Sequence, residues 1–510
     1  MALTDLPVEI LDEVCILLCR HCRPYTIKIS KPSIQEAPTW NPIDTDNLER
    51  KALLNLCLTS KSLRNVAQPI LFHNFFHHRN LNWQNTETNL IPRLCKLLRT
   101  IDESPRLALG LKSLDIKAYE EKCTCCPQYV PRATSEEEDI VVKFAKKTGL
   151  VIDTSDLDGD SLPEALTQLL LVSAPNLLQL NLCVPRWWTF KPLATWSHEQ
   201  EKETENSRAF LHHVQQMELD IEKDHEDTCY EEHDDNWCDS CGHPTTPSPV
   251  ERLLVHAAPN VKILSCTAGA LDNLPSLPQL RCLQIQLKGS WDGMLPKLME
   301  RLPRLTHFSY ISNNHCSPTP RDIQDSLVGH HNILEYLNVV QQRWMATDWK
   351  PRTGKRYAMT SLAEFTALKT INVDGYMIWP NRDGGATVEE VESDLLLLPR
   401  FLPESLEQLH VDGWDSHDDE SFRSLFKAME KKKFQCLKMV FWGIGAHCYD
   451  PDTTMKPWAV GEGWRAVVPS EVGVRMGVAH DAAFPDWRAE YFRAVATQKC
   501  IDNDGKDQKE

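Results

Sequence analysis

A short pattern, apolar-x-x-apolar-x-apolar, returns nine times between Leu109 and Trp442 and constrains the fold of this chain more than any other feature. Its copies are Leu111/Leu114/Ile116, Leu177/Leu180/Leu182, Val261/Leu264/Cys266, Leu280/Leu283/Ile285, Leu305/Phe308/Tyr310, Leu334/Leu337/Val339, Leu368/Ile371/Val373, Leu406/Leu409/Val411 and Leu437/Val440/Trp442. In each copy the last two apolar residues are two apart, the alternation of a strand that buries one face and turns the residue between them outward. The first apolar residue is expected to tuck under the turn that enters the strand. Pro-containing lead-ins such as Ala174-Pro175-Asn176, Ala258-Pro259-Asn260 and Leu302-Pro303-Arg304 precede several copies.

Between the strand units, Ser161 to Val172 and Met294 to Leu302 carry apolar residues at helical spacing. Alternation of such helices with strands predicts an α/β fold with parallel strands. The units resemble the strand units of leucine-rich repeats. That resemblance implies an irregular solenoid over 109–445, with parallel strands lining a concave face and helices or loops closing the convex side. Spacing runs from 19 residues (Val261 to Leu280) to gaps of 66 (Leu111 to Leu177) and 84 (Leu177 to Val261), wider than regular repeat families show. The two large gaps are expected to hold unrecognised repeats or insertions, at about 118–160 and 195–250. An ordinary α/β domain with several parallel strands is the alternative.

The amino-terminal residues 1–75 follow a different rule. Ile10, Leu11, Val14, Leu17 and Leu18 form one apolar stripe of a helix that opens on Pro7 and Glu9 and ends near His21-Cys22-Arg23-Pro24. After an insert at about 24–45, a second helix starts at Asp46, with Glu49 in capping-box spacing, and leads into Leu53, Leu54, Leu56 and Cys57. Thr59-Ser60 caps a third helix carrying Leu63, Val66, Ala67 and Ile70, with Pro69 near its end. Three short helices cannot bury all of this apolar surface against one another, so either another polypeptide or the downstream domain covers the rest.

Leu6-Pro7-Val8-Glu9-Ile10-Leu11 and Leu53-Leu54-Asn55-Leu56-Cys57-Leu58-Thr59-Ser60-Lys61-Ser62-Leu63-Arg64, followed by Pro69-Ile70-Leu71-Phe72, resemble the two halves of an F-box. The insert between the halves departs from the family pattern. The resemblance implies a three-helix unit that docks on a Skp-type adaptor, itself bound to a cullin, through Leu6, Pro7, Ile10, Leu11, Val14, Leu56, Leu63 and Val66. It also implies a non-catalytic substrate receptor of a ubiquitin ligase, with a target protein bound by the repeat domain. Outward residues such as Asn338, Asn372 and His410 are candidates for target contact. Linker helices over 76–108 and an extension over 446–510, its tail partly disordered, complete the expected organisation.

Two inserts carry other chemistry. Cys123-Thr124-Cys125-Cys126 lies in the first, and the second runs through His225, Cys229, His233, Cys238, Cys241 and His243. Cys238-Asp239-Ser240-Cys241 has the two-residue gap of a zinc knuckle, with Cys229, His233 or His243 as candidates to complete four ligands, Cys229 and His233 first; unligated loop thiols are the alternative. No cofactor other than this structural zinc is expected. Glu222 to Asp239 holds nine acidic residues against one lysine, the composition of a solvated loop.

The net charge of −17 argues against a nucleic-acid partner, since phosphate contacts need a basic face. Neither an export signal nor an apolar run of membrane-spanning length is visible, so the chain is expected in the cytoplasm or nucleus, its 18 cysteines reduced. No phosphate loop, nucleophile elbow or His-Glu-x-x-His helix occurs. Two other readings stay open: an adaptor-bound structural protein outside a ligase, and a zinc-dependent or cysteine-based enzyme built on His225 to His243.

Overall fold

The structure is a computed structural model. It describes residues 6–19, 22, 42–77, 90–118, 134–153, 157, 161–185, 188–203, 210–222, 249–267, 271, 276–287, 294–312, 318–341, 358–378, 397–412, 419–443 and 475–479. These fall into two compact units, one running to Arg304 and the other from Leu305 onward.

The first unit opens with three helices, α1 (Val8–Leu17), α2 (Pro42–Thr59) and α3 (Lys61–Leu71). Helix α2 starts at Pro42 rather than Asp46, and proline suits a first turn because its fixed φ matches the helix and its missing N–H has no partner there. Ser60 caps α3, its hydroxyl accepting from the Leu63 N–H at 3.2 Å. Pro69 does not end α3, which runs two residues further. Cys15, Cys19, Leu53, Cys57, Ala67 and Ile70 form the core of this helical part.

Strands and helices then alternate: β1 (Asn74–His77), α4 (Leu90–Glu103), α5 (Pro105–Gly110), β2 (Ser113–Lys117), α6 (Ser135–Thr148), α7 (Ser161–Ser173) and β3 (Gln179–Pro185). The unit continues with α8 (Lys191–Glu203), β4 (Gln216–Glu222), α9 (Pro249–His256), β5 (Ile263–Thr267), β6 (Cys282–Leu287) and α10 (Met294–Glu300). All five pairings from β1 through β6 are parallel, and each strand pairs with its neighbours in sequence.

The second unit holds β7 (His307–Ser312), α11 (Pro320–Leu327), β8 (Tyr336–Gln341), β9 (Thr370–Asp374), α12 (Leu397–Phe401), β10 (Gln408–Asp412), α13 (Asp419–Glu430), β11 (Met439–Gly443) and β12 (Arg475–Ala479). Its strands are likewise parallel and in sequence order, without the reversal that marks a doubly wound sheet. The expected α/β class with parallel strands is therefore observed.

All nine apolar units fall on strands of this kind, and every one of their apolar positions from Leu111 to Val440 is buried. A tenth, Val214/Met217/Leu219 on β4, lies in the 84-residue gap and is buried in the same way. In the 66-residue gap the described residues hold helices α6 and α7 instead. Just before many of the strands, a backbone N–H donates to the equivalent carbonyl one strand earlier: Leu178 to Lys112, Gln215 to Leu178 and Lys262 to Gln215, each at 2.8 Å. In the second unit Lys369 donates to Glu335, Glu407 to Lys369 and Lys438 to Glu407, also at 2.8 Å. Among the described residues no helix is long and apolar enough to cross a membrane.

Candidate functional site

Helix α1 presents two faces with different fates. Leu11 and Cys15, one turn apart, are buried, while Ile10 (48% exposed), Val14 (36%) and Leu17 (63%) follow one another at i, i+4 and i+7 on the open face. Val8 (57%) and Pro7 at its start are exposed too. On α2, Leu54 and Leu58 form a second exposed apolar pair at i, i+4, whereas Leu53 and Cys57 turn into the core. Large apolar side chains in such a row leave surface that water contacts at a free-energy cost, and such rows are where partner chains bind.

Of the eight residues expected to meet an adaptor, Pro7, Ile10 and Val14 are exposed and Leu6 is half-buried. Leu56 and Val66 are half-buried against the helical core. Leu11 and Leu63 are buried, so their side chains serve the packing of the three helices and offer little to a partner. Val8, Leu17, Leu54 and Leu58 are exposed apolar residues that the family pattern did not single out.

Beyond these faces, the exits of α1 and α3 meet in a cluster of soft ligands. After α1 the chain turns twice, the Cys19 N–H donating to the Ile16 carbonyl and the Cys22 N–H to the Cys19 carbonyl, both at 3.0 Å. After α3 the His73 N–H donates to the Ile70 carbonyl at 3.0 Å. The His73 carbonyl accepts from the N–H groups of Lys112 and Ser113, both at 2.8 Å, which ties it to the start of β2.

These turns bring the Cys22 Sγ to 3.2 Å and the Cys19 Sγ to 4.0 Å from His73 Nδ1. All three ligand atoms lie within 4.8 Å of one another, a group that could hold a metal ion. Burial, then the neighbouring Cys19, pushes the Cys22 thiol up to about 12. Burial, then the Lys112 cation, draws His73 down to about 4, so its ring is neutral at pH 7 and keeps a lone pair for a ligand. A thiol raised in this way is a poor nucleophile, because the thiolate is the reactive form.

Sequence reasoning passed over this cluster. Cys19-Arg20-His21-Cys22 carries the same two-residue gap as Cys238-Asp239-Ser240-Cys241, and that spacing was the available signal. His73 had none, since only the fold carries it to the cysteines. The zinc ligands expected at Cys229, His233, Cys238 and Cys241 lie outside the described residues, as do Cys123, Cys125 and Cys126. Neither a protein-family model nor a curated protein matches the chain.

Proposed function

We propose that the chain is a non-catalytic substrate receptor of a Skp-cullin-F-box ubiquitin ligase. The F-box-like helices dock on a Skp-type adaptor, and the strand array, read as an irregular leucine-rich-repeat-like solenoid, holds a target protein so that its lysines come within reach of a charged ubiquitin carrier. One observation carries this reading: Ile10, Val14 and Leu17 stand in an exposed row on the helix whose opening residues resemble an F-box. Strand order without reversal within each unit favours a solenoid over an ordinary α/β domain.

The test is affinity purification of the full chain beside the Ile10→Ala, Val14→Ala, Leu17→Ala variant. Substitutions at exposed sites usually change folding stability by no more than about 0.5 kcal/mol, so the variant stays folded. Full burial of such a side chain is worth roughly 1.5–3 kcal/mol, of which each truncation removes a part, and about 1.4 kcal/mol in total is already a tenfold change in binding. The wild type should recover a small adaptor with a cullin, and the variant should lose both. Recovery of the adaptor without a cullin points to an adaptor-bound protein outside a ligase. Equal recovery by wild type and variant refutes docking through α1.

A further inference from the structure

We propose that Cys19, Cys22 and His73 form a binding site for a thiophilic divalent cation, zinc(II) in the first instance, which clamps the exit of α1 to the exit of α3. The ligand set suits this ion, because zinc takes cysteine thiolates and neutral imidazoles in a tetrahedral shell. Zinc–sulfur bonds of about 2.3 Å and zinc–nitrogen bonds of about 2.0–2.1 Å place a sulfur and a nitrogen of one shell roughly 3.6 Å apart. The observed separations of 3.2 and 4.0 Å fall on either side of that value, so small side-chain movements seat one ion on all three atoms.

Electrostatics favour a cation at this place over bare thiolates. Cys19 follows α1 by two residues and His73 follows α3 by two residues, and helix carboxyl ends carry partial negative charge that stabilises cations. Bare thiolates there are disfavoured by both helix ends, whereas two thiolates and a neutral imidazole on zinc carry no net charge and escape that repulsion. The backbone of His73 is anchored, its carbonyl accepting from the N–H groups of Lys112 and Ser113. Among the described residues no fourth ligand joins the group, and the remaining coordination position falls to water or another donor.

The consequence is structural. Cys22 and His73 are 51 residues apart in sequence, and the intervening chain includes the insert between the two F-box-like halves. A metal bridge across that span removes loop-closure entropy from the unfolded chain and fixes α1 against α3 whatever the length of the insert. It uses thiols and an imidazole that take no part in the exposed apolar face, so the site stands or falls independently of adaptor docking.

The experiment is residue-resolved alkylation of the full chain, purified under reducing conditions, as zinc-loaded protein and after chelation. Cys19 and Cys22 should be protected in the zinc-loaded protein and react severalfold faster after chelation, while exposed Cys436 reacts equally in both. Because each cysteine is read separately, zinc held at Cys238 and Cys241 does not confuse the result. Cobalt(II) loading gives a second readout: the thiolate-to-cobalt absorption should weaken in Cys22→Ser and shift in His73→Ala. The proposal is overturned if Cys22 alkylates at the same rate with and without chelator. It is equally overturned if Cys19 and Cys22 are recovered as a disulfide in the freshly purified chain.

Discussion

At Asn338 the polar side of the second unit becomes a chain of side-chain hydrogen bonds. Ser309, Asn338, Asn372 and His410 occupy the same position on four successive strands. Neighbouring parallel strands lie about 4.8 Å apart, which lets short polar side chains in one row reach each other. Asn338 Nδ2 donates to Ser309 Oγ at 2.7 Å, and Asn372 Nδ2 donates to Asn338 Oδ1 at 2.7 Å. Asn338 is fully buried, so truncation orphans both partners. Asn338→Ala should therefore cost about 1–3 kcal/mol, read as a lower urea midpoint at unchanged slope. An unchanged midpoint would mean that the row contributes nothing. Alternation placed these residues on the outward face, but not whether anything covers them, because a period of two specifies a side and not an environment. The same limit applied to Leu11 and Leu63. Their helices were legible, yet both side chains are buried, because a helical period marks an apolar face without saying which part of it the fold covers.

Among the elements, helix α7 shows how buried polar side chains hold the turns of this fold. Its Glu164 Oε1 accepts from the N–H groups of Thr189 and Phe190 at 3.0 and 2.6 Å, and its Gln168 Oε1 accepts from the Leu193 N–H at 2.9 Å. These donors stand at the start of α8, where helix N–H groups have no partner within their own helix. Phe190, at φ 49°, adopts a left-handed backbone conformation that residues with a side chain rarely take, and the bonds that its own N–H and that of Thr189 donate to Glu164 hold it there. Burial raises the Glu164 carboxyl above its usual range, and the N–H donors pull against that rise. Gln324 of α11 plays a similar part, accepting from the Thr360 N–H at 2.7 Å and donating to the Ser361 carbonyl at 2.6 Å. Glu164→Ala should cost about 1–3 kcal/mol and speed amide exchange at the start of α8, with a smaller loss in Glu164→Gln, which keeps one acceptor oxygen. Equal exchange in wild type and both variants would remove Glu164 from this role. The helix from Ser161 was legible from its period, and the cap it lends to α8 was not, since it joins side chains 25 and 26 residues from their donors. Strand β4 escaped for another reason: Glu218, Asp220 and Glu222 alternate with its apolar residues, and the strand fell within the insert expected at about 195–250. In β1 the last apolar position of the pattern is taken by buried His77.

On the scale of the whole chain, the order of the strands determines how stability is shared. Within each unit every described strand pairs with its neighbours in sequence, and under the proposed solenoid reading stability is then approximately a sum of terms between adjacent repeats. Side-chain pairs follow the same rule: Lys369 meets Glu335 at 3.0 Å and Lys438 meets Glu407 at 2.7 Å, always one repeat apart. Both pairs lie on the surface, where solvent screening leaves little net gain, so the apolar rows dominate. Ile371 is fully buried in the row Leu337, Ile371, Leu409, and truncation to alanine in such a core costs about 2–5 kcal/mol. In a single cooperative globule that loss would lower hydrogen-exchange protection everywhere by the same amount. In a linear array it falls mainly on the neighbours: Ile371→Ala should strip protection from β8, β9 and β10 while β2 and β3 keep theirs. Uniform loss across β2, β3 and β9 would show that the repeats unfold as one body and would overturn the nearest-neighbour account.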